Sequence, residues 1–240
     1  MFATIIITGI LPLTALAGTD QLSRPQPVDH SRELVVLLHG FGRTSRDMRF
    51  LADYFRSRGY QVFSPTLNTL HGTVESCAAA LENKLEALDI TGYERVHLIG
   101  HSTGGLIIRK FLSENHVPNL GRCVLVGSPN QGTDLGALVK RYLPPLTWIS
   151  PVYRYFQPGG IPVPPPLNNP RPEIGAIAGN GDGLLLGRFI AGPNDGRVPV
   201  DSVPFPGMTD FIVLPFHHEE IHHRPETAEH IRNFLEEGKF

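Results

Sequence analysis

The chain has 240 residues, of which 41% are hydrophobic and 18% charged; this suits one α/β domain with a full core and excludes a disordered chain or a coiled coil. Its 21 basic residues against 23 acidic ones leave no field that would attract a polyanion, so nucleic acid is not an expected partner. Two cysteines, Cys77 and Cys123, exclude a disulfide framework and a cysteine-built zinc cluster; they are two free buried thiols or, in an exported protein, one pair.

Residues 1–17 are uncharged, mostly apolar and end in Ala15-Leu16-Ala17, a small-x-small pattern that predicts a cleaved signal peptide and export to the periplasm or medium. An uncleaved membrane anchor and a cytoplasmic chain are the alternatives, and residues 18–240 then form a single domain. After a polar lead, the run LVVLL at 34–38 has strand length and apolar side chains on both faces, as a buried parallel strand does. Helical spacing follows over 47–58, then a strand at 60–63, a helix over 73–88, a strand at 95–99, a helix over 103–115 and a strand at 123–126. Further strands are expected at 173–178 and 210–214, and a closing helix over 226–236. This alternation predicts one mostly parallel sheet of about six strands with helices on both faces.

One stretch breaks the rhythm. Between residues 133 and 172 a short helical piece at 135–142 precedes ten of the chain's 22 prolines. A linker would not need Trp148, Tyr153, Tyr155 and Phe156, so the segment reads as a lid or cap.

The chemistry concentrates at the ends of the expected strands. Gly100-His101-Ser102-Thr103-Gly104-Gly105 is a Gly-x-Ser-x-Gly sequence between a strand and a helix. Such a turn strains the serine and exposes its Oγ above a helix N-terminus, which makes Ser102 the candidate nucleophile. A serine needs a base and the base an orienting acid, in the order Ser, Asp or Glu, His. Asp195 and Asp182, each in an Asp-Gly turn, are the candidate acids. His217 and His218 follow the last strand, and His218 is the favoured base, with His222 and His223 further from the sheet. An oxyanion hole would come from the backbone N–H groups of Thr103 and Phe41, the latter in the loop His39-Gly40-Phe41-Gly42. Phe41, His101 and Trp148 are the candidate substrate contacts.

His218-Glu219-Glu220-Ile221-His222 also spells His-Glu-x-x-His, which on a helix would set two histidines facing a zinc ion. The preceding strand, Pro225 and the polar run argue against it, so no catalytic metal is expected; incidental surface binding of a divalent ion by the four histidines is the alternative.

Taken together, the loop at 39–42, Gly100 to Gly105, Gly127-Ser128-Pro129-Asn130-Gln131-Gly132, Asn194-Asp195-Gly196-Arg197-Val198 and the Leu214-to-His218 end resemble the α/β-hydrolase superfamily, and within it the small bacterial lipases and esterases. The likeness runs from residue 34 to 240. It implies an α/β-hydrolase fold with a Pro-rich lid and a serine hydrolase acting on small-molecule or lipid esters through an acyl-enzyme, with membrane-surface contact as an option. It also implies Ser102, Asp195 and His218 as a triad, Phe41 and Thr103 amides as the oxyanion hole, and no cofactor. One departure is Glu219-Glu220, where similar sequences carry a small or apolar residue after the histidine. An acyltransferase, thioesterase or amidase would use the same residues, and a catalytically silent binding module is the rival from another class.

Overall fold

A computed structural model describes residues 29–133, 136–137, 141, 150–157, 166–181 and 185–240. The expected signal segment at 1–17, the candidate acid Asp182, the candidate substrate contact Trp148 and parts of the 133–172 segment lie outside the described residues.

Six strands, β1 (Glu33–Leu38), β2 (Gln61–Phe63), β3 (Arg95–His101), β4 (Leu120–Val126), β5 (Ile174–Gly179) and β6 (Asp210–Leu214), form one sheet in the order β2-β1-β3-β4-β5-β6, and every neighbouring pair is parallel. The apolar runs are continuous because each strand is buried on both faces. In β1, Leu34, Val36 and Leu38 enter one core with α2 (Val74–Leu88) and α3 (Thr103–Glu114). Val35 and Leu37 enter the other with α1 (Arg49–Arg56) and α4 (Pro225–Glu237). The period-2 alternation of the strand thus distributes one hydrophobic run between two cores.

Local chemistry sets the helix ends. Thr73 caps α2 in a reciprocal box with Ser76, and Gly238 ends α4 in the left-handed region. The helix expected over 47–58 is divided: a 3-10 turn (Ser45–Met48), capped by the Thr44 side chain, leads into α1. Residues 136, 137 and 141 are helical, inside the short helix expected at 135–142. Cys77 and Cys123 are free and buried, on α2 and β4, and burial pushes their thiols up to about 11 and about 12. No helix among the described residues is long and apolar enough to cross a membrane.

β4 begins at Leu120, three residues before its fully buried run, where the buried ring of His97 supports Gly121 and Arg122. His97 Nδ1 accepts the Arg122 N–H at 3.0 Å, and a Cβ at Gly121 would lie 2.7 Å from the ring. The same ring donates through Nε2 to Glu33 at 2.9 Å, where Arg95 (2.7 Å) and His30 (3.1 Å) also bind. Burial alone would raise the Glu33 carboxyl, but these hydrogen bonds outweigh it and hold it at about 2 against 4.5.

Two measurements check this architecture. A carboxyl lowered on folding adds stability above its unfolded pKa of 4.5 that disappears as the pH falls toward 2. Glu33→Gln should therefore make the acid-side loss of stability shallower, by up to about 1.4 kcal/mol per pH unit in urea titrations across that window. Phe234→Ala, at a fully buried position of the α4 face, should cost about 3–5 kcal/mol.

Candidate active site

The parallel sheet points all its carboxyl ends one way, and the loops leaving them meet at one edge. Between β3 and α3 the chain turns at Ser102, whose φ of 53° and ψ of −121° lie where a side-chain-bearing residue is strained. Close packing imposes this turn. A Cβ at Gly104 would sit 2.4 Å from the Leu38 carbonyl oxygen, so α3 meets β1 only without a side chain there. The Ser102 N–H donates to the Val126 carbonyl at 2.8 Å, fixing the turn to β4.

Asp195 lies in the loop between β5 and β6 and is fully buried. Its Oδ1 accepts the backbone N–H groups of Arg197 (2.9 Å) and Val198 (2.7 Å), leaving Oδ2 for the His218 Nδ1 at 2.7 Å. A carboxylate only accepts, so Nδ1 carries the hydrogen and the Nε2 lone pair faces the Ser102 hydroxyl at 3.1 Å. The Asp195 carbonyl also accepts the His218 N–H at 2.8 Å, so one residue orients both the ring and the backbone of this histidine. His217 turns away to Glu220, at 2.8 Å. Ser102, Asp195 and His218 are thus brought together from three loops, in the chain order read from the sequence.

Glu219, the departure noted after His218, pairs with Arg197 and, at 3.5 Å, with Arg43. Burial raises its carboxyl, but the Arg197 hydrogen bond and the two positive charges prevail and lower it. A charge is tolerated beside His218 because arginines from the Asp195 loop and the β1 loop meet it.

The loop His39-Gly40-Phe41-Gly42 leaves β1 against the serine; a Cβ at Gly40 would lie 3.2 Å from the Ser102 Cβ. Its backbone is held by side chains that the sequence did not single out. His39 Nδ1 donates to the Gly40 carbonyl at 2.9 Å while its Nε2 accepts the Leu67 N–H at 3.0 Å, so the ring is neutral. Burial lowers its pKa in the same direction. Thr69 Oγ1 donates to the Gly40 carbonyl at 3.1 Å and accepts the Gly42 N–H at 3.0 Å. The Phe41 ring lies edge-on to Tyr153 and Phe156 of the Pro-rich segment, at 5.3 and 6.2 Å between centroids. Thr103 is the first residue of α3, where a helix offers the N–H no carbonyl of its own.

His101, next to the serine in the chain, is buried in the protein. Its ring is only 4% exposed and its Nε2 donates to the His218 carbonyl at 3.0 Å. The ring stacks on His222 at 3.7 Å. Burial, with the His222 and His218 rings adding to it, holds it well below the ordinary histidine pKa. The segment spelling His-Glu-x-x-His is a turn and a 3-10 turn (Ile221–His223), not a helix, and its two histidines go to different partners: His218 to Asp195, His222 to Asp47. The described geometry therefore does not form the zinc-protease arrangement that this spacing would give on a helix.

The sequence model described as "Alpha/beta hydrolase family" matches residues 35–229. No curated protein matches the chain in a sequence comparison. Among solved structures, the mature lipase BlEst2 of Bacillus licheniformis superposes with a TM-score of 0.68 at 18% identity, over 92% of this chain and 96% of that one. A pyrethroid hydrolase of Sphingobium faniae gives 0.55 at 16% identity over 85% and 98%. A structure from a study of carboxylesterases of the thaumarchaeon Nitrososphaera gargenis gives 0.56 at 16% over 90% and 97%. At these identities the likeness is one of fold.

Gly104→Ala should cost about 1–3 kcal/mol in urea denaturation, since its Cβ meets backbone that cannot move aside. Gly92→Ala, whose Cβ would meet nothing within 4 Å, should stay within about 0.5 kcal/mol of the parent.

Proposed function

Because the chain belongs to the alpha/beta hydrolase family, we propose that it hydrolyses carboxylic esters through an acyl-enzyme on Ser102. The observation that carries this reading is the hydrogen-bonded series from Ser102 Oγ through His218 to Asp195, at 3.1 and 2.7 Å, built on a strained turn. His218 Nε2 takes the hydroxyl proton as Oγ attacks the acyl carbonyl. The buried Asp195 carboxylate keeps the hydrogen on Nδ1 and stabilises the imidazolium that forms. The backbone N–H groups of Thr103 and Phe41 receive the developing oxyanion, and the strain held at Ser102 keeps Oγ in place without reorganisation. The proton then passes to the leaving alcohol, and water, activated by the same histidine, releases the acid.

The choice of an ester as substrate is in keeping with structures of similar fold, which include a lipase, a pyrethroid hydrolase and one from a study of carboxylesterases. Residues 150–157 of the Pro-rich segment act as a wall of the acyl site. Tyr153 and Phe156 extend the apolar surface of Phe41, and the segment is anchored on α2, where Tyr155 and Arg154 bind Glu75. Ser150 adds a hydrogen bond to the Leu70 carbonyl.

Hydrolysis of p-nitrophenyl esters of graded chain length tests the reading. Ser102→Ala, His218→Ala and Asp195→Asn should each lower kcat by about 10⁴-fold or more, while His217→Ala stays within a few-fold of the parent. Full activity in Ser102→Ala would refute it. Glu75→Gln should loosen the anchored segment and raise KM for long-chain esters with kcat on the acetate ester unchanged; an unaltered chain-length preference would remove the segment from the acyl site.

A further inference from the structure

Beside His101, on which His222 stacks, two consecutive histidines converge on one carboxylate. His222 Nε2 lies 3.1 Å from Asp47 Oδ2, and His223 Nε2 lies 3.9 Å from Oδ1 and 2.8 Å from the Asp47 carbonyl. Consecutive side chains usually diverge; here the 3-10 turn Ile221–His223 brings the two rings to 3.9 Å between centroids, tilted by 43°. One donor atom from each of Asp47, His222 and His223 lies within 4.8 Å of the others. We propose that Asp47, His222 and His223 form a binding site for one divalent transition ion of the zinc class.

The donor set fits that class. Two imidazole nitrogens and one carboxylate oxygen suit zinc, and three protein ligands leave a fourth position for water. Tetrahedral bonds of about 2.0–2.1 Å set donors about 3.3 Å apart. The His222–Asp47 pair is already at 3.1 Å, and the adjustment falls on His223, whose side chain is 41% exposed and whose Nε2 would exchange its hydrogen bond to the Asp47 carbonyl for the ion. The buried His222 ring is held by its stacking on His101, so the ion would meet one preorganised imidazole, the carboxylate already paired with it and one exposed imidazole. Among the described residues the buried Nδ1 of His222 has no hydrogen-bond partner, and its Nε2 pairs with Asp47. Binding puts the metal in the place of the hydrogen on each Nε2, and a ring that keeps one hydrogen then carries it on Nδ1.

The ion would join the turn before α1 to the loop that carries His218, two segments 175 residues apart. It would act as a clip, outside the reacting atoms, and its existence does not depend on the ester-hydrolase reading.

The test uses the full chain, freed of metal by a chelator and then titrated with zinc by calorimetry and with cobalt by visible absorption. One ion per chain should bind with micromolar or tighter affinity, cobalt should give the intense bands of a four-coordinate site, and saturating zinc should raise the melting temperature by about 5 °C. His223→Ala and Asp47→Asn should each weaken binding at least tenfold, with the metal-free His223→Ala chain melting like the metal-free parent. His223→Gln is the second variant should either of these fail to fold. Absence of a stoichiometric site in the parent would overturn the proposal. So would unchanged affinity in His223→Ala or His223→Gln, which would mean that adventitious surface histidines bind the ion.

Discussion

The molecule is organised around the contact between α3 and the central strands. α3 must approach β1 closely enough that Gly104 lies against the Leu38 carbonyl, and the chain can enter it from β3 only by turning at Ser102 with φ at 53°. A strained residue is stable only where its surroundings hold it, and here α3 packs with α2 on one face of a parallel sheet buried on both faces. The six strands therefore do more than enclose a core. Their shared direction brings the β1 loop, the Asp195 loop and the His218 loop to the one edge where Ser102 Oγ emerges.

Around that turn, polar groups are arranged in series. Asp195 holds His218 by ring and backbone, and His101 holds the His218 carbonyl. His222 supports the His101 ring, and Asp47 holds His222. His101 and His222 are buried and kept below the ordinary histidine pKa, mainly by desolvation, so uncharged rings stack behind His218. On the other side Arg197 and Arg43 meet Glu219. The histidine-rich loop, which in sequence reads as a polar turn, is a scaffold for one ring.

Much of this was legible in the sequence because it depends on local pattern. Runs such as LVVLL at 34–38 are apolar on both faces and read directly as buried strands, and Gly100 to Gly105 combines a strand end, a glycine-flanked serine and a helix start. The order of Ser102, Asp195 and His218 narrowed the acid and base to a few residues. What escaped depends on side chains meeting from distant segments. The early start of β4 lies where His97 fills the space over Gly121, and no periodicity signals that. The Asp47 contact with His222 spans 175 residues. The His-Glu-x-x-His spacing misleads for the same reason, since its geometric meaning holds only on a helix and Pro225 starts the helix later. His101, a candidate substrate contact in the sequence, is buried and bonded to the His218 carbonyl, a partner 117 residues away that no local pattern signals.

The central claim is that Ser102 is a nucleophile activated by His218. The most direct measurement is covalent labelling by a fluorophosphonate, read by intact mass and peptide mapping. The account predicts one phosphonyl adduct per chain, on Ser102, formed in the parent and slowed by orders of magnitude in His218→Ala. An unlabelled parent, a label on another residue, or equal labelling rates in parent and His218→Ala would contradict it.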